Sequence, residues 1–185
     1  MGMDISIWTD KGDEILRDNH PESFLSRTFA GLMMNGDLED IAKRASVDAT
    51  AITEMWEYNM DFDWIDTKYG FSKSEKEEML QKAKKDNERC NGNIDRVIKT
   101  IDALINGVAK LKNLSDVIHI YKEKHHRKDI NQFYKESNEF YFSDFHLDKD
   151  DHNFGYNFGF DLRISQRFVA YAKEKGATMV YFIYM

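Results

Sequence analysis

Residues 72–111 read SKSEKEEMLQKAKKDNERCNGNIDRVIKTIDALINGVAKL, and whether Asn91-Gly92-Asn93 breaks this run or lies within it decides the layout of the chain. Asn-Gly is ordinarily a turn dipeptide. The phase argues for continuity. At about 100° per residue Ala83, Asn87, Cys90, Ile94, Val97, Ile98, Ile101, Leu104, Ile105 and Val108 form one apolar stripe that passes straight through Gly92. The expectation is one long helix, opening at Ser72, where Ser72-x-x-Glu75 fits a capping box, and running to about Leu111. Glu78 and Lys82 are expected to pair on its surface. At about 1.5 Å per residue it would reach about 60 Å, more than a domain of this size spans. It must therefore project, kink at Gly92 or fold back as a helical hairpin.

Working outward, strand-like runs lie toward the chain ends. Residues 3–9 (MDISIWT) alternate, while residues 139–146 (EFYFSDFH) and 178–184 (TMVYFIY) are aromatic and β-branched. Between the last two, Leu162, Ile164, Phe168, Tyr171 and Ala172 mark one side of a helix. Asp161 is its expected N-cap, and Gly176 its left-handed terminator. Strand, helix, strand predicts a parallel pair joined by a right-handed crossover. A further helix is read over residues 114–127. The fold class is α+β: a helix-rich single domain, residues 1–185, with a small, about three-stranded sheet built from the N- and C-terminal segments. One proline in 185 residues leaves little to break helices.

Composition narrows the function classes. Twenty-five aromatic residues exclude a disordered chain. A single cysteine, Cys90, excludes a cystine scaffold and a cysteine-ligated zinc finger, and reads as a buried small hydrophobe. A reducing, cytoplasmic location is expected, since neither a secretory leader nor a membrane-spanning run is visible. No nucleotide, nucleophile-elbow or zincin motif occurs, so no cofactor is expected.

The formal charge of −7 is localised. Residues 22–66 are read as helical and acidic, and within them residues 37–66 hold two bases and nine acids, so the rest of the chain is neutral. Within them Leu38, Ile41, Ala42, Ala45, Val47, Ile52 and Met55 are spaced as in a helix-turn-helix, with Asp48 placed to cap the second helix. The stretch resembles the helix-turn-helix of lactose-repressor-type DNA-binding proteins, which implies a transcriptional regulator. Ser46 stands where the turn glycine is usual, however. The would-be reading helix, 49–58, carries Glu54 and Glu57 with no Lys, Arg or Gln, the wrong sign for phosphate.

Residues 54–66 (EMWEYNMDFDWID) interleave five acids with aromatics and contain no base. Aromatics anchor protein interfaces, and acids steer a basic partner toward them. Glu57, Asp61, Phe62, Asp63, Trp64 and Asp66 are therefore the candidate partner-binding residues of a non-catalytic adaptor or inhibitor that captures a basic protein. The alternative is a metal-dependent hydrolase. In residues 146–152 (HLDKDDH), His146, Asp148, Asp150 and His152 offer imidazole and carboxylate ligands after a strand-like run.

Overall fold

A computed structural model describes residues 5–16, 21–59, 62–111 and 158–184. Its sheet has β1 (Ile5–Thr9) in the centre, with β2 (Phe24–Leu25) on one side and β3 (Val180–Tyr184) on the other, both antiparallel. In register, Ile5 faces Tyr184 and Thr9 faces Val180. The two ends of the chain thus share a sheet, as expected for an α+β fold. The strand expected at 139–146, its parallel crossover and the helix expected at 114–127 lie outside the described residues.

Between β1 and β2 lies α1 (Gly12–Leu16); α2 (Arg27–Asn35), α3 (Asp37–Arg44) and α4 (Thr50–Glu57) follow. Next come α5 (Phe62–Thr67), α6 (Lys73–Arg89) and α7 (Ile94–Val108), and α8 (Phe158–Glu174) leads into β3. The long helix is therefore interrupted. Gly92 adopts φ +63°, a left-handed conformation that ends α6 and that glycine reaches without steric cost. The apolar stripe nevertheless survives the break. Ala83, Cys90, Ile94, Val97, Ile101, Leu104 and Val108 are all buried, because the turn re-enters the helix with the same face inward. Tertiary burial, rather than unbroken helix, keeps the phase.

Asn93, fully buried, shows how the break is held. Its side-chain amide donates to the Val180 carbonyl at 2.8 Å and accepts from the Val180 N–H at 2.9 Å, standing in for a further strand along β3. The adjacent Ile94 N–H, one of the groups a helix start leaves without an internal partner, donates to the Thr178 carbonyl. At the other end of α6 the capping box forms as expected: Ser72 Oγ accepts from the Glu75 N–H, and Glu75 Oε2 accepts from the Ser72 N–H at 2.7 Å. Lys82 pairs with Asp86 at 2.8 Å instead of with Glu78, since Asp86 is the acid one turn on that packing holds in place.

α8 begins at Phe158, three residues before Asp161, so Asp161 is not its N-cap. The side chain is fully buried and reaches across to the start of α2, accepting from Ser26 N at 2.8 Å and Ser26 Oγ at 2.6 Å. Ser26 in turn caps α2 by accepting from the Phe29 N–H. A cross-chain polar latch thus replaces a local cap. Gly176 does terminate α8 at φ +83°, with the Ala177 N–H returning to Ala172 and the Gly176 N–H to Lys173.

The core lies between the sheet and the layer of α2, α4, α7 and α8. Phe29 is its hub, with ring centroids 6.2 Å from both Phe158 and Phe182. Each such side chain contributes about 1.5–3 kcal/mol by leaving water. α7 and α8 are further tied by Gln166 to Asp102 at 2.6 Å and Lys173 to Asp95 at 2.6 Å. A void of about 10 Å³ lined by Ile7, Phe29, Met55, Leu162 and Phe182 is a packing defect with room for one water, not a ligand site.

Candidate protein-binding surface

The acidic, aromatic segment starts on α4. Ala51, Ile52 and Met55 turn inward, and α4 packs against β3, α6 and α7. The helix-turn-helix turn is well formed: Ser46 takes φ +58°, the Val47 N–H returns to Ala42 and the Ser46 N–H to Lys43. Asp48 does not occupy the cap expected for it: the N-cap of α4 is Ala49, which makes no side-chain cap hydrogen bond, and Asp48, one residue earlier, accepts from the Thr50 N–H at 2.9 Å through Oδ1. What differs is the setting of the second helix. Neighbours on three sides hold α4 in the body of the fold, a poor posture for a helix that must enter a DNA groove.

Both acids on α4 are matched within the chain. Glu54 Oε2 lies 3.0 Å from Arg96 Nη1, and Glu57 Oε2 lies 2.5 Å from Arg89 Nη1. Arg96 also donates to the Arg89 carbonyl, so both bases bridge α4 to the α6–α7 break. A charge excess concentrated in sequence is thereby partly offset in space. Cys90 lies underneath, fully buried, with Sγ 3.5 Å from the Glu54 carbonyl. Burial pushes its thiol up to about 11, so it is no nucleophile.

Past α4 the chain is pinned rather than loose. Trp56 meets Tyr184 edge-on at 4.6 Å, and the Tyr184 hydroxyl donates to the Trp56 carbonyl. Tyr58 stacks on Tyr181 at 4.0 Å, and burial raises the pKa of both phenols. Asn87 on α6 clamps Asn59 as Asn93 clamps Val180: it accepts from the Asn59 N–H at 2.7 Å and donates to the Asn59 carbonyl at 2.6 Å.

α5 then packs on α6 by a narrow seam, with Ile65 buried, Phe62 half-buried and Asp66 exposed. Lys76 Nζ donates to the Asp66 carbonyl at 2.6 Å. Asp61 and the side chains of Asp63 and Trp64 lie outside the described residues, as do His146, Asp148, Asp150 and His152. No group of three metal-ligating side chains occurs among the described residues.

The turn between α5 and α6 carries two aromatics that the sequence reading passed over. Tyr69 is 97% exposed and Phe71 41% exposed, flanking Gly70 at φ +86°. A signal was present. Phe71 precedes the N-cap Ser72, where an apolar residue usually packs against the fourth residue of the helix. That residue is Lys76, so Phe71 lacks its apolar partner. Lys68 instead places its ammonium 4.9 Å from the Phe71 ring centroid. Charges around the tip are mixed: Asp66, Lys68, Lys73, Glu75 and Lys76. Hydrogen bonds from the Ser72 hydroxyl and N–H hold the Glu75 carboxyl below its ordinary range.

These elements define a helix-rich α+β domain in which α5 and α6 pack as a helical hairpin. Comparison with protein-family models, with curated proteins and with solved structures finds no match for the chain. No helix among the described residues is long and apolar enough to cross a membrane.

Proposed function

We propose that the chain is a non-catalytic protein-binding module, an adaptor or inhibitor, that docks a basic protein partner on its α5–α6 hairpin. The observation that carries this reading is the near-complete exposure of Tyr69 beside the exposed Phe71 at the hairpin tip. Elsewhere in the described fold most large apolar side chains are inside, and water-facing aromatics are the residues that anchor interfaces. Phe62 and Asp66 extend the surface along α5, and Asp61, Asp63 and Trp64 are candidates on their sequence alone. The basic character of the partner rests on the acidic excess of residues 37–66, less Glu54 and Glu57, which Arg96 and Arg89 neutralise.

The test compares the wild-type chain with the Tyr69→Ser/Phe71→Ser variant as baits in lysate of the native source. A partner held by the wild type, released by moderate salt and lost from the variant is expected. Tyr69 is almost wholly solvent-facing and Phe71 is 41% exposed, so the variant should stay within about 1 kcal/mol of wild-type stability. A partner retained equally by both baits refutes the assignment of the tip.

A further inference from the structure

Three Asn-Gly pairs occur in the chain: Asn35-Gly36, Asn91-Gly92 and Asn106-Gly107. Before glycine, an asparagine side chain is open to attack by the next amide nitrogen, because no Cβ hinders the approach. The attack requires that the glycine N–H be free of hydrogen bonds and that the asparagine side chain be free to rotate toward it.

Two of the three pairs fail this requirement. The Gly36 N–H is held by the Leu32 and Met33 carbonyls at the end of α2. Gly107 lies inside α7, where its N–H belongs to the helix ladder, and the Asn106 amide donates to the Asp102 carbonyl at 2.8 Å. Gly107 is also closely packed, since a Cβ there would lie 3.0 Å from Ala45. At the α6–α7 break the situation is opposite. Asn91 and Gly92 are both exposed, the Gly92 N–H makes no hydrogen bond among the described residues, and nothing lies within 4 Å of a Cβ built on Gly92.

We propose that Asn91 is a site of spontaneous deamidation in the folded protein, selected over Asn35 and Asn106 by backbone hydrogen bonding. The Gly92 nitrogen loses its proton to solvent and bonds to Asn91 Cγ; the Cγ–NH2 bond breaks, and the leaving group takes up a proton and departs as ammonia. Water then opens the cyclic imide at either carbonyl, leaving aspartate or isoaspartate with no change of oxidation state. The product has a structural consequence. Isoaspartate adds a methylene to the main chain between the buried Cys90 and the Asn93 clamp on β3, and the new carboxylate faces the negative end of α6.

The experiment ages the intact chain in mildly alkaline buffer at physiological temperature, with a urea-unfolded sample in parallel. Trypsin separates the three sites into peptides 28–43, 90–96 and 100–110. Replacement of NH2 by OH is read as a mass gain of about 1 Da. In the folded chain the 90–96 peptide should convert at least about tenfold faster than the others, the factor set by a local opening free energy of about 1.4 kcal/mol. In urea the three should convert at similar rates. Equal rates in the folded chain overturn the proposal, as does faster conversion at Asn35 or Asn106. So does an unmodified Asn91 over a period in which the unfolded chain converts.

Discussion

Replacing Asn93 by alanine removes both hydrogen bonds that tie the α6–α7 break to β3, and the cost follows from where Val180 lies. Val180 and Asn93 are both 0% exposed, so water cannot take the place of the lost amide. One buried N–H and one buried C=O are left unsatisfied, at about 1–3 kcal/mol each, for a total of about 2–6 kcal/mol. In a chain of 185 residues this lowers the melting temperature by roughly 4–24 °C. Equilibrium urea unfolding, followed by far-UV circular dichroism and by tryptophan fluorescence, measures it as a reduced midpoint at unchanged slope. Asn93→Asp sharpens the test. It keeps the shape and the acceptor for the Val180 N–H, but sets a carboxylate oxygen against the Val180 carbonyl. Burial and that repulsion raise the new carboxyl's folded pKa above its unfolded value, so the penalty is full at neutral pH and shrinks as pH falls through the folded pKa. A loss below about 1 kcal/mol for Asn93→Ala would refute the view that this clamp, rather than apolar packing alone, joins the helical layer to the sheet.

Ser6, fully buried in β1, has a hydroxyl with no hydrogen-bond partner among the described residues, so Ser6→Ala should be neutral or stabilise by up to about 1 kcal/mol, read as the urea midpoint. Gly107→Ala should destabilise by about 1–3 kcal/mol despite better helix propensity, because its Cβ would press to 3.0 Å on Ala45 and 3.2 Å on Val47. Gly31→Ala in α2, where no described residue lies within 4 Å of the added Cβ, should instead stabilise by about 0.5–1 kcal/mol in the same assay. Burial works against the Asp10 carboxylate, but hydrogen bonds from the Thr178 hydroxyl and the Thr178 and Met179 N–H groups outweigh it and hold its pKa below 3.8. A depressed folded pKa contributes stability above the unfolded value that is lost as pH falls through the folded one. Asp10→Asn should therefore be less stable than wild type at neutral pH, with the gap closing on acidification below the carboxylate range, as thermal melts across pH will record.

The helix periods were legible because they repeat. The stripe from Ala83 to Val108 and the buried side of α8 needed only the spacing of apolar residues, and both lie where that spacing put them. Of the outcomes its length allowed, the long run takes the break at Gly92 and not the continuous helix, because phase is a property of the folded core and not of the hydrogen-bond ladder. Three residues of turn can preserve the inward face while ending the helix. Asp161 was misjudged because a capping residue is recognised by its neighbours in sequence, whereas its partner, Ser26, is 135 positions away. The candidate site was half legible. Its acidic and aromatic composition could be read, but the pairing of Glu54 with Arg96 and of Glu57 with Arg89 could not.

By itself, then, the sequence determined the class of the fold, the terminal strands, the inward faces and the capping box at Ser72, since each rests on interactions within a few residues or on a period of the chain. Only the tertiary structure decided where the long helix breaks, which acids are neutralised and which aromatics face water. Those outcomes depend on side chains distant in sequence meeting in a dry interior, where an amide such as Asn93 can act as a strand and an exposed turn such as Tyr69-Gly70-Phe71 is what the packing leaves outside.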